Sequence, residues 1–370
     1  MHCKGKWERE YRNPPGNTIE KSQGLLKNGT DALCAEERTE PVNQKIVDMH
    51  CDTVAEIFER ERKGEKTGLR ENGLQLDLQR MEKSGYLLQN FALFVDRGEC
   101  KDPWERVCAL YELYARELSC NEEKIAPVLC YEDILKNERA GKLSGLLTVE
   151  EGAVCGGEAQ KLQKLYHMGV RMMTLTWNYP NELGYPNRNG RPEKEKGLTE
   201  RGREFVFWME RLGIIVDVSH LSDKGFFDVL ECAKKPFVAS HSNARAVCPC
   251  ARNLTDSMIR SLGERGGVTG LNYCVDFLMG EKSAPMQKEA RIQAILNAAV
   301  NHAKHIVDVG GIEVLGLGSD FDGIDVNEAL PGAQSVERLW DALHGAGFTQ
   351  SQLDGIFFEN VLRVYREILK

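Results

Sequence analysis

Eight short apolar runs recur between residues 46 and 318, each followed by a polar loop and a stretch with helical apolar periodicity. The runs are Ile46–His50, Asn90–Val95, Gly145–Val149, Met172–Thr176, Gly213–Val218, Phe237–Ser240, Gly267–Leu271 and Val314–Gly318. Each is bounded by Gly, Pro or charge, which suits buried parallel strands better than helices. In the stretches between them, Phe226, Val229, Leu230 and Ala233 fall on one stripe, and Ile292, Ile295, Leu296, Ala299, Ala303 and Ile306 on another. Eight strand–helix units over roughly 325 residues is the count for an α/β fold of the (β/α)8 TIM-barrel class with insertions. A doubly wound sheet competes less well, because no Gly-rich phosphate turn opens the first crossover helix.

Residues 1–43 precede the first run and read as a polar N-terminal extension broken at Pro14-Pro15-Gly16, leaving 44–370 for the barrel domain. Lys plus Arg is 48 against 56 Asp plus Glu, a formal charge of −8, which gives no electrostatic reason to bind nucleic acid. No apolar stretch is long enough to span a bilayer, and the charged start MHCKGKWEREYRN lacks the apolar core of a signal peptide. A soluble, cytoplasmic protein without a membrane partner is the expectation. The twelve cysteines contain no CxxC pair, and Cys248-Pro-Cys250 alone is a weak metal signal, so most are expected to be buried or free thiols.

The C-terminal end of each strand is where a barrel carries its chemistry. Run one ends in His50-Cys51-Asp52, run three in Glu150-Glu151, run five in Ser219-His220, run six in Ser240-His241, and run eight in Ser319-Asp320-Phe321-Asp322-Gly323. One strand-end His-x-Asp would more often cap a helix than hold a metal. Three of the eight histidines ending strands, with carboxylates beside them, is a pattern that capping does not explain. Residues two apart in an extended chain point the same way, so His50 and Asp52 can offer a nitrogen and an oxygen to one cation. Imidazoles with carboxylates suit Zn2+ best, then Mn2+, Co2+ or Fe2+. Five candidate ligands are too many for one hydrolytic zinc. Two ions sharing a carboxylate would use them all, one on His50 and Asp52, the other on His220 and His241, with Glu150 or Glu151 between. His302, His305 and Asp308, at i, i+3 and i+6, read instead as the polar edge of an amphipathic helix.

The strings IVDMHCDT, TVEEGA, GVRMMTLTWN, IVDVSHLS, FVASHSNAR and LGSDFDG, in that order from residue 46 onward, resemble the membrane (renal) dipeptidase family of binuclear zinc peptidases. The resemblance implies that His50 and Asp52 bind one zinc, that His220 and His241 bind the second, and that Glu150 bridges them. Glu150 is preferred to Glu151 because the family motif reads Val-Glu before a small residue, so residue 151 departs from the usual Gly. The resemblance further implies that Asp320 contacts the substrate amine and shuttles the proton, and that Arg252 binds the substrate carboxylate. A bidentate guanidinium suits that last role. Trp177 is a second departure, since mammalian members place a substrate-contacting histidine there. Indole only donates, so Trp177 would shape the pocket rather than act as acid or base.

The implied function is a metal-dependent dipeptidase, in which a hydroxide held between two zinc ions attacks the peptide bond of dipeptides, L-Xaa-D-Xaa members among them. A homodimer is the assembly that the resemblance implies. The rivals are another barrel hydrolase of the amidohydrolase type, a deaminase or lactonase, and a non-catalytic metal-binding barrel. The first usually carries His-x-His on its first strand, where this chain has His50-Cys51-Asp52.

Overall fold

All eight apolar runs form strands in the computed structural model, which describes residues 44–187, 195–280 and 286–370. The extension over 1–43 lies outside the described residues, and Gln44–Lys370 forms one compact unit. In chain order the strands are β1 (Ile46–Asp48), β2 (Tyr86–Phe94), β3 (Ile125–Pro127), β4 (Leu143–Glu150), β5 (Val170–Thr174), β6 (Ile215–Asp217), β7 (Val238–Ala239), β8 (Val268–Leu271) and β9 (Leu315–Leu317). Every pairing is parallel. The order runs β2-β1-β9-β8-β7-β6-β5-β4, and a β2–β4 ladder closes the circle. This is the parallel eight-stranded barrel with outer helices that the strand count predicts.

β3 is the strand that the apolar pattern does not predict. It pairs with residues 143–145 of β4, below Leu147, where β5 begins to pair. Three residues including a proline make no apolar run, and a proline's missing N–H suits an edge position.

Strand alternation divides the core in two. Val47, Met49, Leu88, Leu146, Met172, Ile215, Val238 and Val268 fill the barrel together with Val361, Val364 and Tyr365 from the helix Asn360–Ile368. That helix lies beside Gly213 and Gly266, which precede β6 and β8, so it closes the N-terminal end and leaves chemistry to the other. Outward residues meet the helices, including Phe226 and Val229 of Asp223–Cys232 and Ile295, Ala299, Ala303 and Ile306 of Lys288–Gly310. Among the described residues no helix is long and apolar enough to cross a membrane.

His302 is no polar edge. It is fully buried, its Nδ1 accepting from the Ala244 N–H at 3.1 Å and its Nε2 donating to the Leu278 carbonyl at 3.1 Å. The ring thereby ties the loops after β7 and β8 to the helix Lys288–Gly310. His305 pairs with Asp256 at 2.7 Å. Burial pushes the His302 imidazole down from 6.5 to about 4, against the raising influence of its bond to Leu278. The unfolded chain therefore takes up this proton below pH ~6.5 while the folded chain does not. Stability should be unaffected above that pH and fall between pH 6.5 and 4, by about 3 kcal/mol at most. His302→Gln, which removes the titration, should flatten that stretch of the pH–stability curve. An unchanged slope in the variant would clear His302 as its source.

Candidate metal centre

The ends of β1 and β9 are zipped past their last ladder pairs. Met49 N–H donates to Leu317 O at 2.9 Å, Asp52 N–H to Phe321 O at 2.8 Å, and Asp320 N–H to His50 O at 3.2 Å. Sequence positions 50, 52 and 320 are thus brought to one corner of the rim. Glu150 ends β4, opposite Phe94 of β2. His220 and His241 follow β6 and β7, and the His241 N–H donates to the Ser219 hydroxyl at 3.1 Å.

The five expected ligands converge. His50 Nε2 lies 3.4 Å from Glu150 Oε2, 3.6 Å from Asp52 Oδ2 and 3.8 Å from Asp320 Oδ1. Glu150 Oε1 lies 3.0 Å from His220 Nε2 and 3.6 Å from His241 Nε2. Three buried groupings could each hold an ion: His50, Asp52 and Glu150; Glu150, His220 and His241; His50, His241 and Asp320. Glu150 belongs to the first two, with one oxygen toward each. Glu151 instead turns away, accepting from Ala153 N–H at 2.9 Å and Asn181 Nδ2 at 2.5 Å, so of the two only Glu150 falls in these groupings.

The hydrogen bonding around these groups leaves lone pairs that a cation would satisfy. Ser240 Oγ donates to Asp217 Oδ2 at 2.6 Å, so it can only accept from His241 Nδ1, 2.8 Å away. The other His241 nitrogen then carries a bare lone pair. His220 Nδ1 likewise donates to Asn178 Oδ1 at 3.2 Å. Two Nε2 atoms with no proton of their own therefore face each other at 2.9 Å, with one oxygen of Glu150 beside both. Such lone pairs repel, and a positive ion among them removes the conflict. Both ring nitrogens of His50 and the Oδ1 of Asp52 are also buried without a hydrogen-bond partner, a cost of about 1 to 3 kcal/mol per atom that a bound cation would offset. Asp52 stands at the N-cap of the helix Thr53–Arg62, yet its side chain makes no capping bond. The capping account of His-x-Asp fails here.

Electrostatics agree with the donor set at His220 and His241. Burial pushes the His220 and His241 imidazoles well below their usual value, aided by the charges of Arg252 and His50. Neutral rings are what a metal requires. Burial would also depress His50, but the Glu150 and Asp52 carboxylates overcome it and hold the ring well above its usual value. Glu150 is pushed up to about 7 by burial, and Asp320 is raised by the same cause. A buried cluster of carboxylates thus draws positive charge.

Asp320 Oδ2 accepts from Asn272 Nδ2 at 2.9 Å, leaving Oδ1 on the side of His50. A Cβ at Gly323 would overlap Asp52 Oδ2 and stand 2.7 Å from Asp320 Oδ1, so only glycine keeps this corner open. Arg252 is buried, with Nη1 on the Ser242 hydroxyl and Nη2 on the His241 carbonyl, each at 3.3 Å. Its Nε has no partner, and among the described residues no carboxylate pairs with it. Trp177 packs edge-on against Phe94 at 4.8 Å and lies 6.3 Å from the His220 ring, forming an aromatic wall beside the ligands.

Among the described residues four non-glycine residues have left-handed backbones, namely Glu151, His220, Asp320 and Asp322, with φ of 106°, 66°, 63° and 69°. All four lie at this rim. Such conformations cost roughly 1 to 3 kcal/mol each and gather at functional sites. Residues that strand-end reading overlooked include Asp217, which accepts from Ser219 N–H, Ser240 N–H and the Thr174 hydroxyl, and Asn178 and Asn272. An aspartate inside the apolar run Gly213–Val218 was the available signal for the first.

The family model for membrane dipeptidase (peptidase family M19) matches residues 36–370, so the match begins within the polar extension. The chain is 31% identical over 324 residues to an uncharacterised dipeptidase of Schizosaccharomyces pombe, covering 80% of this chain and 73% of that one. Among solved structures it is similar to a metallopeptidase of Rhodobacter sphaeroides bound to a phosphinate mimic of the dipeptide L-Ala-D-Ala. The TM-score is 0.79, with 26% identity over 88% of this chain and 99% of that one. It is also similar to the M19 metallopeptidase called dipeptidase AC, with a TM-score of 0.80, 26% identity and the same coverage.

Proposed function

The chain belongs to the membrane dipeptidase family and is a metallo-dipeptidase, and from that premise we propose a finer reading. Its substrates are dipeptides with a free C-terminal carboxylate, L-Xaa-D-Xaa members among them, and its centre takes two divalent cations, zinc in first place. The observation that carries this reading is the pair of bare Nε2 atoms of His220 and His241 set against one oxygen of Glu150, while the other oxygen faces His50. The dipeptide mimic held by the Rhodobacter sphaeroides relative supports the stereochemical part.

His50, Asp52 and Glu150 would hold one ion, and Glu150, His220 and His241 the other. Bound there, the ions would acidify a water molecule and polarise the scissile carbonyl. The protein supplies the rest. Asp320 keeps Oδ2 on Asn272 and offers Oδ1 to take the proton of the attacking water and return it to the departing amine. Burial raises its pKa, which brings it closer to the working range of a proton carrier. Arg252 anchors the substrate carboxylate with nitrogens that the protein leaves weakly occupied. Its bond to the His241 carbonyl keeps it near the ligands, which favours a short acid as substrate. Trp177 walls the mouth and cannot act as acid or base.

Chelation should abolish hydrolysis of L-Ala-D-Ala, and zinc should restore it along with two metals per chain by elemental analysis. Hydrolysis indifferent to chelator would overturn the metal-centred reading. A panel pairing L-Ala-D-Ala with L-Ala-L-Ala and the corresponding dipeptide amide tests stereochemistry and the carboxylate requirement together.

A further inference from the structure

Arg252 is weakly held by its own side-chain bonds, both at 3.3 Å, yet the peptide units on either side of it are gripped firmly. The grip comes from Arg245, seven residues earlier in the same loop. Its Nε donates to the Asn253 carbonyl at 2.8 Å and its Nη2 to the Ala251 carbonyl at 2.9 Å. The same guanidinium forms a two-pronged pair with Asp223, Nη1 to Oδ2 at 2.6 Å and Nη2 to Oδ1 at 2.7 Å. Asp223 opens the helix Asp223–Cys232, whose N-cap Ser222 accepts from Gly225 N–H, so the anchor stands on a rigid element. Asn187 adds a third member. Its Nδ2 donates to Asp223 Oδ1 at 2.8 Å and to the Ala251 carbonyl at 2.5 Å, while its N–H donates to the His220 carbonyl at 2.7 Å. One cluster therefore holds the backbone of a metal-ligand candidate and the backbone flanking the carboxylate anchor.

We infer that the Asp223–Arg245 pair, with Asn187, is a positioning device that sets the distance from Arg252 to the metal centre and so fits the site to dipeptide length. This rests on the reading of Arg252 as the carboxylate anchor. Arg245 is outside the reacting atoms and acts only through the loop. A planar fork can grip two carbonyls and a carboxylate at once, whereas a lysine ammonium cannot reproduce that geometry. Loosening the loop should let Arg252 wander by a fraction of an ångström, which weakens binding of the carboxylate more than it slows bond cleavage.

The test compares Arg245→Gln, Arg245→Lys, Asp223→Asn and Arg252→Ala in the zinc-loaded enzyme, using L-Ala-D-Ala and its C-terminal amide. Arg245→Gln should raise KM for the dipeptide about tenfold, with kcat within about threefold and kcat/KM for the amide unchanged. Asp223→Asn and Arg245→Lys should shift KM in the same direction by less, and they decide the matter if Arg245→Gln fails to fold. Added to Arg252→Ala, the Arg245→Gln change should cost little more, since the two act through one anchor. Equal losses on dipeptide and amide, a fall in kcat without a rise in KM, or full additivity in the double variant would overturn the device. If Arg252→Ala raises KM and the Arg245 and Asp223 variants do not, the device alone falls. If Arg252→Ala leaves KM unmoved, the anchor reading fails and takes the device with it.

Discussion

Glu150→Gln should cost at least about a thousandfold in kcat/KM, or some 4 kcal/mol, and should drop metal content to one ion per chain or fewer. The substitution keeps the shape of the side chain and removes its charge. It also turns one oxygen into an NH2, which cannot donate its lone pair to a cation. Glu150 is the group whose two oxygens reach both halves of the centre, 3.0 Å from His220 Nε2 on one side and 3.4 Å from His50 Nε2 on the other. Its neighbour provides the control. Glu151→Gln removes an equally buried carboxylate whose bonds go to Ala153 and Asn181, and turnover should stay within about tenfold of the parent. Elemental analysis and a dipeptidase assay on the two variants decide the assignment. Full metal content with normal turnover in Glu150→Gln would end its bridging role.

Asp320→Asn should lower kcat by about a hundred- to ten-thousandfold while leaving metal content near that of the parent. Asparagine still accepts from Asn272 and preserves the left-handed turn at φ 63°, which Asn tolerates better than most residues. It cannot take up a proton at that position. Asp320 also falls within one of the three groupings that could hold an ion, with His50 and His241. Loss of metal in Asp320→Asn would therefore reassign it from proton carrier to ligand, and unimpaired turnover would remove both roles.

The barrel and most of its rim were legible because their determinants are local. An apolar run bounded by turns is a property of five or six consecutive residues, and the eight barrel strands all grew from such runs. The same holds for His50, Asp52, Glu150, His220, His241 and Asp320, which sit at run ends and were carried to one mouth by strand direction alone. What the chain concealed depends on residues far apart. That Glu150 and not Glu151 faces the histidines shows only in the backbone, where the left-handed Glu151 swings its side chain toward Asn181. The bonds from His302 to Ala244 and Leu278 join three segments that no periodicity connects, so its helix pattern alone suggested a solvated edge. Asp217 was visible as a charge inside an apolar run, but its service to Thr174 and Ser240 is a matter of three neighbouring strands.

Four strained backbones on one rim, at ~1 to 3 kcal/mol apiece, represent a sum comparable to the whole folding stability of an ordinary domain. Such backbones persist only where the surrounding structure holds them, and here that is the packed barrel beneath the rim. For protein engineering this separates two kinds of position. Glu151 and Asp322 bear the strain outside the groupings that could hold an ion, but their carboxylates accept from Ala153 and Asn181 and from Gln75 and Thr53, so glycine there would relax the backbone while leaving buried donors unpaired. At His220 and Asp320 the same relaxation would remove a side chain from a grouping that could hold an ion.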